Sequence, residues 1–259
     1  MHRVRPLPFT TATTHDPRSP ARERLLPPAL AALYAALYAA LAVHPVDRGN
    51  WLIESALPLS LLALLAGMYG RWHLSDASYL CVALFLAAHT VGAHYSYAHV
   101  PLGEWARDRL AAAGWGTRNP YDRAVHFAFG VLFVYPLREA LLHHVRSRVT
   151  AAVFAVGGVL ALSAAYEVLE WGVARLVAPE AAARFVGTQG DPWDAQQDMA
   201  LAWLGSVAGA DGRRARARAG GRRGRRPRAA GAAQVSGRRR TEARIRLTRS
   251  CLPLRRIAM

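Results

Sequence analysis

The stretch WLIESALPLSLLALLAGMYG, residues 51–70, decides the fold class of this chain. Its length matches the roughly 20 apolar residues that cross a hydrocarbon core of about 30 Å. It holds one charged residue, Glu54, and one proline, Pro58, where we expect a kink. Because lipid offers the backbone no hydrogen-bond partners, such a segment must satisfy its own polar groups as a helix. The stretch therefore predicts a transmembrane helix.

Other apolar blocks of similar length lie on both sides of this segment, and 53% of the chain is hydrophobic. They cover residues 28–43, 77–97, 123–142 and 150–177, and a sixth begins near Trp193. A longer polar loop after the third block is expected to hold a short interfacial helix. The pattern predicts an all-α, polytopic bundle of about six transmembrane helices that contacts the lipid bilayer.

The charge is concentrated at the C-terminal end and divides the chain into three parts. We distinguish a polar segment at 1–27, a transmembrane domain at 28–210 and a low-complexity basic tail at 211–259. The tail holds 17 of the 33 Arg residues but only 2 of the 17 acidic residues. Its composition predicts disorder and contact with anionic lipid. Because the net charge of +16 comes from the tail and not from the fold, no specific nucleic-acid partner is expected.

An altered reading frame is a second explanation of this tail. All 33 basic residues are Arg and none is Lys, which is typical of GC-rich coding sequence. The largely apolar run from Met199 to Ala210 is also too short to span a bilayer. On this interpretation the tail is a frameshift product that cuts the sixth helix short.

Ionisable residues gather at four helix ends. Alternating helices bring the end of the third, the start of the fourth, the end of the fifth and the start of the sixth to one membrane face. Five Arg residues before the first helix favour a cytoplasmic N-terminus. The polar residues predicted to meet at this face are His94, Asp122, His126, Glu167, Glu170, Asp194 and Asp198.

Spacings of three or four residues put three pairs each on one helical stripe: Asp122 with His126, Glu167 with Glu170, and Asp194 with Asp198. Ionisable groups at membrane depth are costly and usually mark function. A mixed imidazole and carboxylate set suits a divalent cation such as Zn²⁺, Mn²⁺ or Fe²⁺, and all seven residues are candidate ligands. It also suits general acid and base work, for which the candidates are His126, Glu167, Asp194 and Asp198. A hydrogen-bonded network that only joins four helices is the structural alternative.

Two neighbouring residues have plainer explanations. His89 lies on an apolar helix, where it either reaches the polar site or hydrogen-bonds a neighbouring carbonyl group. Asp191 directly precedes Pro192 and is expected to cap the sixth helix.

Four motifs carry a family resemblance: GAHYSYAHVPLG at 92–103, RNPYDRAVHF at 118–127, SAAYEVLEW at 163–171 and GTQGDPWDAQQDM at 187–199. They resemble the YjdF-like family of bacterial inner-membrane proteins, a domain of unknown function, over about residues 28–210. The resemblance implies a multi-pass protein of the inner membrane and supplies no mechanism.

A more distant similarity is to the VanZ-like pattern, in which Asp-Lys-x-x-His, Glu-x-x-Gln and Asp-x-x-x-Asn elements follow one another. This similarity implies a functional role for the matched residues Asp122, His126, Glu167, Glu170, Asp194 and Asp198. Here Arg123 stands for the Lys, Glu170 for the Gln and Asp198 for the Asn. VanZ-like proteins are associated with glycopeptide resistance and the cell envelope.

Three function classes remain open. The first is a metal-dependent enzyme that acts on an envelope or lipid-linked substrate. The second is a transporter or proton-coupled carrier, although no internal repeat or matching pair of broken helices supports it. The third is a non-catalytic membrane assembly or resistance factor.

Overall fold

A computed structural model of the protein describes residues 25–70, 73–114, 116–176 and 189–223, with side chains described up to residue 210. These ranges form helices joined by turns. The helices are α1 (Leu26–Leu41), α2 (Arg48–Glu54), α3 (Ala56–Tyr69), α4 (Asp76–His94), α5 (Pro101–Ala112), α6 (Tyr121–Leu142), α7 (Arg148–Ala174) and α8 (Asp194–Arg223).

Four stretches of the described chain are long and apolar enough to cross a membrane. They are Arg48–Tyr69, which combines α2 and α3, then Asp76–His94, Tyr121–Leu142 and Arg148–Ala174. The apolar helix α1 is shorter, at 16 residues. The all-helical, polytopic architecture expected from the sequence is confirmed. The short helix expected in the polar loop corresponds to α5.

The structure and the sequence differ on where the last helix ends. The composition change predicts a boundary after Ala210, but the backbone of α8 remains helical to Arg223. The added residues are mostly Arg, Ala and Gly, and both Arg and Ala favour helix. Residues 1–24 and 224–259 lie outside the described ranges. The second range holds most of the basic tail. The disorder, the contact with anionic lipid and the altered reading frame expected for this tail therefore stay predictions.

The second apolar segment is interrupted close to its proline. Helix α2 ends at Glu54, four residues ahead of Pro58, and α3 begins at Ala56. Proline has no N–H group, so the carbonyl oxygen of Glu54 receives no hydrogen bond from position 58. Nε2 of His89 on α4 lies 3.0 Å from that oxygen. The interruption between α2 and α3 thus leaves a carbonyl oxygen available, and this oxygen is the hydrogen-bond partner of the buried His89.

Helices α4, α6 and α7 form the centre of the bundle, with α6 packed between the other two and α1 packed on α4. Aromatic rings fill the contact of α4 with α6. The ring of Phe85 meets Phe133 edge-on at 5.0 Å and lies 5.2 Å from Phe129. At the start of α4, Glu139 of α6 accepts hydrogen bonds from the backbone N–H and the hydroxyl of Ser75, both at 2.7 Å.

Small residues let α8 approach α6 very closely. A Cβ atom on Gly130 would overlap the carbonyl oxygen of Ala202, and one on Gly205 would overlap that of Phe127. A Cβ on Gly209 would lie 2.8 Å from the carbonyl oxygen of Val131. Gly205 and Gly209 form a GxxxG pair, which brings membrane helices together by backbone contact. This contact fixes the height of α8 against α6, and hence the level of the carboxylates that begin α8.

A methyl group at this crossing should therefore weaken the bundle. We expect Gly130→Ala to lower the stability by about 1–3 kcal/mol, because backbone atoms of α8 must move. The matched control is Gly157→Ala on α7, where an added Cβ meets no described atom within 4 Å. Thermal unfolding in detergent measures both variants. Equal melting temperatures for the two would contradict the close packing of α6 and α8.

Candidate functional site

The end of α4, the start of α6, the end of α7 and the start of α8 meet at one end of the bundle. The end of α1 lies there too, because the carbonyl oxygen of Leu41 is 2.7 Å from Nδ1 of His94. Exposed indole rings of Trp105, Trp171 and Trp193 occur in the segments around this end. Exposed Trp residues mark the membrane–water interface, so the polar residues beside them lie at headgroup level.

Arg123 of α6 binds the start of α8 at several points. One of its Nη atoms lies 2.9 Å from Oδ2 of Asp191 and 3.0 Å from Oδ1 of Asp194. The other donates to the backbone carbonyl of Asp194 and lies 3.0 Å from Oδ1 of Asp198. The planar guanidinium group can serve several oxygens at once, which Lys could not do. Three carboxylates are thereby gathered around one half-buried cation.

Arg118 supplies a second positive charge. It lies in the loop before α6, and its guanidinium is 2.9 Å from Oδ2 of Asp122. It also forms an ion pair with Asp194. Asp194 therefore contacts both arginines, and Asp122 is joined to the start of α8 through Arg118. The arginines compensate much of the negative charge that the sequence places at this end.

His126 stands at the centre of the remaining acids. Its Nε2 lies 3.6 Å from Oδ1 of Asp122 and 3.8 Å from Oε1 of Glu167. Donor atoms of Asp122, His126 and Asp198 all lie within 4.8 Å of one another. This is the separation that a single cation could bridge after small side-chain movements, because metal–ligand distances are about 2.0–2.6 Å.

Glu167 connects this group to a polar cavity at the membrane face. The cavity has a volume of about 410 Å³, and it is lined by acids from α7, from the turn before α8 and from the start of α8. These acids are Glu167, Glu170, Asp191 and Asp194. Oε1 of Glu167 is buried and accepts no hydrogen bond from the described residues. The side chain retains 9% of its exposure.

A second cavity, of about 440 Å³, lies on the other side of His126 and is mainly apolar. The rings of Phe129 and Phe133 line it, together with leucines of α3, α6 and α7. At its polar end, the hydroxyl of Tyr97 lies 2.7 Å from Nδ1 of His89. Burial raises the pKa of Tyr97 well above its usual value, so this hydroxyl keeps its proton and can donate.

Glu54 lies behind this polar end. Its carboxylate accepts a hydrogen bond of 2.9 Å from the hydroxyl of Tyr166, and 2% of its surface is exposed. Because the carbonyl oxygen of Glu54 also contacts His89, the α2–α3 break, α4 and α7 are joined at this end of the cavity.

Asn119 sets the position of the loop in front of α6. Its side-chain amide donates to the carbonyl oxygens of Ala98 and Val100, at 2.9 and 3.2 Å. Its backbone N–H and carbonyl pair with the side-chain amide of Gln189, at 2.9 and 3.3 Å. A Cβ on Gly103 would overlap the Asn119 side chain. These contacts hold the turn before α8 against the start of α6.

The structure brings six of the seven predicted site residues to one region. Asp122, His126, Glu167, Asp194 and Asp198 are linked by the contacts above, and Glu170 lines the polar cavity beside them. His94 is placed elsewhere, against the end of α1. Because His94 lies in the last turn of α4, its ring faces the carbonyl oxygen of Leu41 at the end of α1 and does not face α6.

His89 and Asp191 agree in part with the plainer explanations that the sequence offered for them. His89 takes the carbonyl contact and lines the apolar cavity. Asp191 accepts from the backbone N–H of Trp193 at 2.9 Å, as a capping residue would, but it also pairs with Arg123.

The sequence-based site lacked Arg118, Asn119, Gln189, Glu54, Tyr97 and Tyr166. A signal existed for the first three, because all lie inside the quoted motifs RNPYDRAVHF and GTQGDPWDAQQDM. Tyr97 and Tyr166 also lie inside quoted motifs, but nothing local distinguishes a buried tyrosine from one at the interface. The sequence showed Glu54 as the one charged residue of an apolar segment. Its partners lie on other helices, so the sequence did not link it to the site.

Comparison with known proteins agrees with this architecture. A family described as "Predicted membrane protein (DUF2238)" matches residues 26–212. The chain belongs to the DUF2238 family. It is 35% identical over 173 residues to "Inner membrane protein YjdF" of Escherichia coli strain K12, which covers 66% of this chain and 79% of the relative.

Membership of the DUF2238 family and the apolar helices make the chain a multi-pass protein of the inner membrane. No solved structure matches it. The YjdF-like resemblance is thus confirmed, and the more distant VanZ-like similarity stays a prediction.

Arg123 is the residue on which the site geometry depends most. We expect Arg123→Gln to lower the stability by about 3–5 kcal/mol, because it leaves buried carboxylates without their cation. A thermal melt in detergent measures this. Arg107→Gln, which removes a pair with Asp108 on the exposed helix α5, should cost about 0–1 kcal/mol.

Removing one of the acids that Arg123 neutralises should restore part of the loss. The double variant Arg123→Gln, Asp194→Asn should therefore melt above the Arg123→Gln variant. If the second substitution lowers the melting temperature further, the charge-compensation account is wrong.

Proposed function

We propose that this protein binds a divalent cation at Asp122, His126 and Asp198 and is an enzyme that acts on a lipid-linked or other envelope substrate. The observation that carries the proposal is the position of His126. It belongs to the group of three potential ligands and also lines the apolar cavity. A substrate with an apolar part in the cavity would therefore present its polar part to the cation.

The ligand chemistry supports a cation at this place. Two carboxylates and one imidazole form a set that Zn²⁺, Mn²⁺ and Fe²⁺ accept. Arg118 binds Oδ2 of Asp122, while Oδ1 faces His126. The arginine thus orients the carboxylate without occupying the oxygen that faces the group. Oε1 of Glu167, 3.8 Å from His126 and without a hydrogen bond from the described residues, is a fourth donor within reach.

The surroundings support a membrane substrate. The polar cavity lined by Glu167 and Asp194 lies at headgroup level, and the apolar cavity lies on the other side of the His126–Glu167 pair. A cation between them could polarise a phosphoryl or carbonyl oxygen of a bound substrate. Glu167, at the boundary of the two cavities, is suited to accept or deliver a proton.

Metal binding can be measured on the purified full chain. We expect about one Mn²⁺ or Zn²⁺ ion per chain by elemental analysis, and a higher melting temperature in its presence. A ligand that binds the folded state at 100 times its dissociation constant adds about 2.7 kcal/mol of stability. Asp198→Asn and His126→Ala should abolish both effects.

The matched control is Asp108→Asn, which alters an exposed acid of α5 and should leave metal binding unchanged. If neither ion binds and neither ion nor chelator moves the melting temperature of the unaltered chain, the cation is excluded. Proton-dependent flux in liposomes without a bound metal would instead favour the carrier.

The arginines before the first helix lead us to propose that the N-terminus is cytoplasmic. Because α1, α4 and α7 end at the site face, the polar cavity then opens on the periplasmic side. The loop after α5 lies at this face, and the turn after α6 lies at the other.

Single cysteines can test the orientation in a chain that lacks Cys81 and Cys251. We expect Ala113→Cys, at an exposed position after α5, to react with a membrane-impermeant maleimide in cells with a permeabilised outer membrane. His144→Cys, in the exposed turn after α6, should react only after lysis. The reverse pattern would place the site in the cytoplasm.

A further inference from the structure

The apolar cavity gives information about the substrate that the polar site does not. It runs along α6 from the level of Val125 to that of Leu137, a distance of about 18 Å at the rise of an α-helix. Spread over that length, about 440 Å³ gives a narrow mean cross-section of roughly 25 Å². The space is therefore long and thin, a shape that suits an extended chain better than a compact ring system.

Part of the cavity wall consists of exposed apolar side chains, among them Leu64 of α3 and Leu162 and Leu169 of α7. We infer from their exposure that the cavity opens sideways between α3 and α7. These helices cross the membrane, so the exposed leucines face hydrocarbon and the opening faces lipid. An occupant can thus enter from the bilayer without passing through water.

One buried polar group inside the cavity has no protein partner among the described residues. The hydroxyl oxygen of Ser163 is buried, makes no hydrogen bond to them, and belongs to the cavity wall. Ser163 is 2% exposed. A serine in a helix commonly bonds back to a carbonyl one turn earlier, as Ser60 does to Ala56 at 2.7 Å. An unsatisfied hydroxyl at this depth is costly, so an occupant that accepts its hydrogen bond would be favoured.

Apart from Ser60, whose hydroxyl bonds within its own helix, the polar groups of the cavity lie toward one end. His126 and Tyr166 lie there, and Ser163 is about one helical turn deeper than Glu167, or about 6 Å. Phe133, Leu61 and Leu137 line the remainder. An occupant would therefore need a polar head at the His126 end, a hydrogen-bond acceptor close to that head, and an apolar chain beyond it.

We infer that the cavity binds one hydrocarbon chain of a membrane amphiphile, whose hydrogen-bond acceptor next to the head is held by Ser163. This inference rests on the proposed function and names its substrate class. Acyl and prenyl chains share the required chemistry. An ester or phosphate oxygen next to the head would satisfy Ser163, while the head itself would lie beside His126 and Glu167.

Photolabelling of the purified full chain tests this site. Two probes are used separately: a 16-carbon fatty acid and a farnesyl phosphate, each with a diazirine in the chain. At least one should label cavity-lining peptides of α6 or α7, and the unlabelled form of that probe should compete. The probe that labels identifies the chain type. Labelling spread evenly over lipid-facing peptides, without competition, would overturn the inference.

Two variants separate the cavity from the lipid-facing surface. Ala165→Trp places a large ring at the opening and should reduce labelling of the cavity at least about 10-fold. The matched control is Val168→Trp, at an exposed position of α7 outside the cavity wall, which should label like the unaltered chain. Equal labelling of both variants would contradict the inference.

Ser163→Ala removes a hydroxyl without adding bulk and should weaken competition by the unlabelled probe about 3- to 10-fold, the worth of one hydrogen bond. An unchanged affinity would show that Ser163 does not hold the ligand. Metal content is measured on the same samples. Metal binding without chain labelling would refute the chain site alone, whereas labelling without metal would refute the cation and leave the chain site standing.

Discussion

The guanidinium group of Arg123 is the contact on which the site depends. It joins the first turn of α6 to the start of α8 through three carboxylates and one carbonyl oxygen. Such a group of charges at the membrane interface is stable only if opposite charges meet at close range. The acids before and within α8 are therefore held at one height and cannot separate into lipid-facing positions.

A different kind of constraint acts at the other end of the α6–α8 contact. Gly130, Gly205 and Gly209 let the two backbones touch, so packing in the apolar region fixes the same relative height as the ion pairs. Electrostatic and steric contacts thus specify one register of α8. Because both kinds of contact specify the same register, α8 holds Asp198 within reach of Asp122 and His126 although its apolar part is short.

Pro58 links the fold to the apolar cavity. The missing N–H of this proline leaves the carbonyl of Glu54 for His89, and His89 in turn accepts from Tyr97. With both ring nitrogens engaged, His89 is held by structural contacts at the cavity wall. His126 has no comparable fixed partner at hydrogen-bond distance among the described residues, which makes it the imidazole better suited to bind a ligand.

The pattern of apolar and ionisable residues was enough to predict the helices and to assign the site residues to one common membrane face. Apolar length fixes the spans, because lipid forces every backbone group to bond within its own helix. Alternation of direction then assigns each helix end to a face. For these reasons the positions of Asp122, His126, Glu167, Glu170, Asp194 and Asp198 on one face could be predicted.

Which of these groups touch depends on how the helices pack, and this could not be predicted from spacing. The pairing of Arg118 and Arg123 with acids some 70 residues away depends on the rotation and height of α8, which glycine contacts set. His94 was assigned to the same membrane face as His126 but contacts the end of α1, since helix rotation is a property of packing. The cavity, too, arises from side chains of several helices, and no single segment encodes its shape.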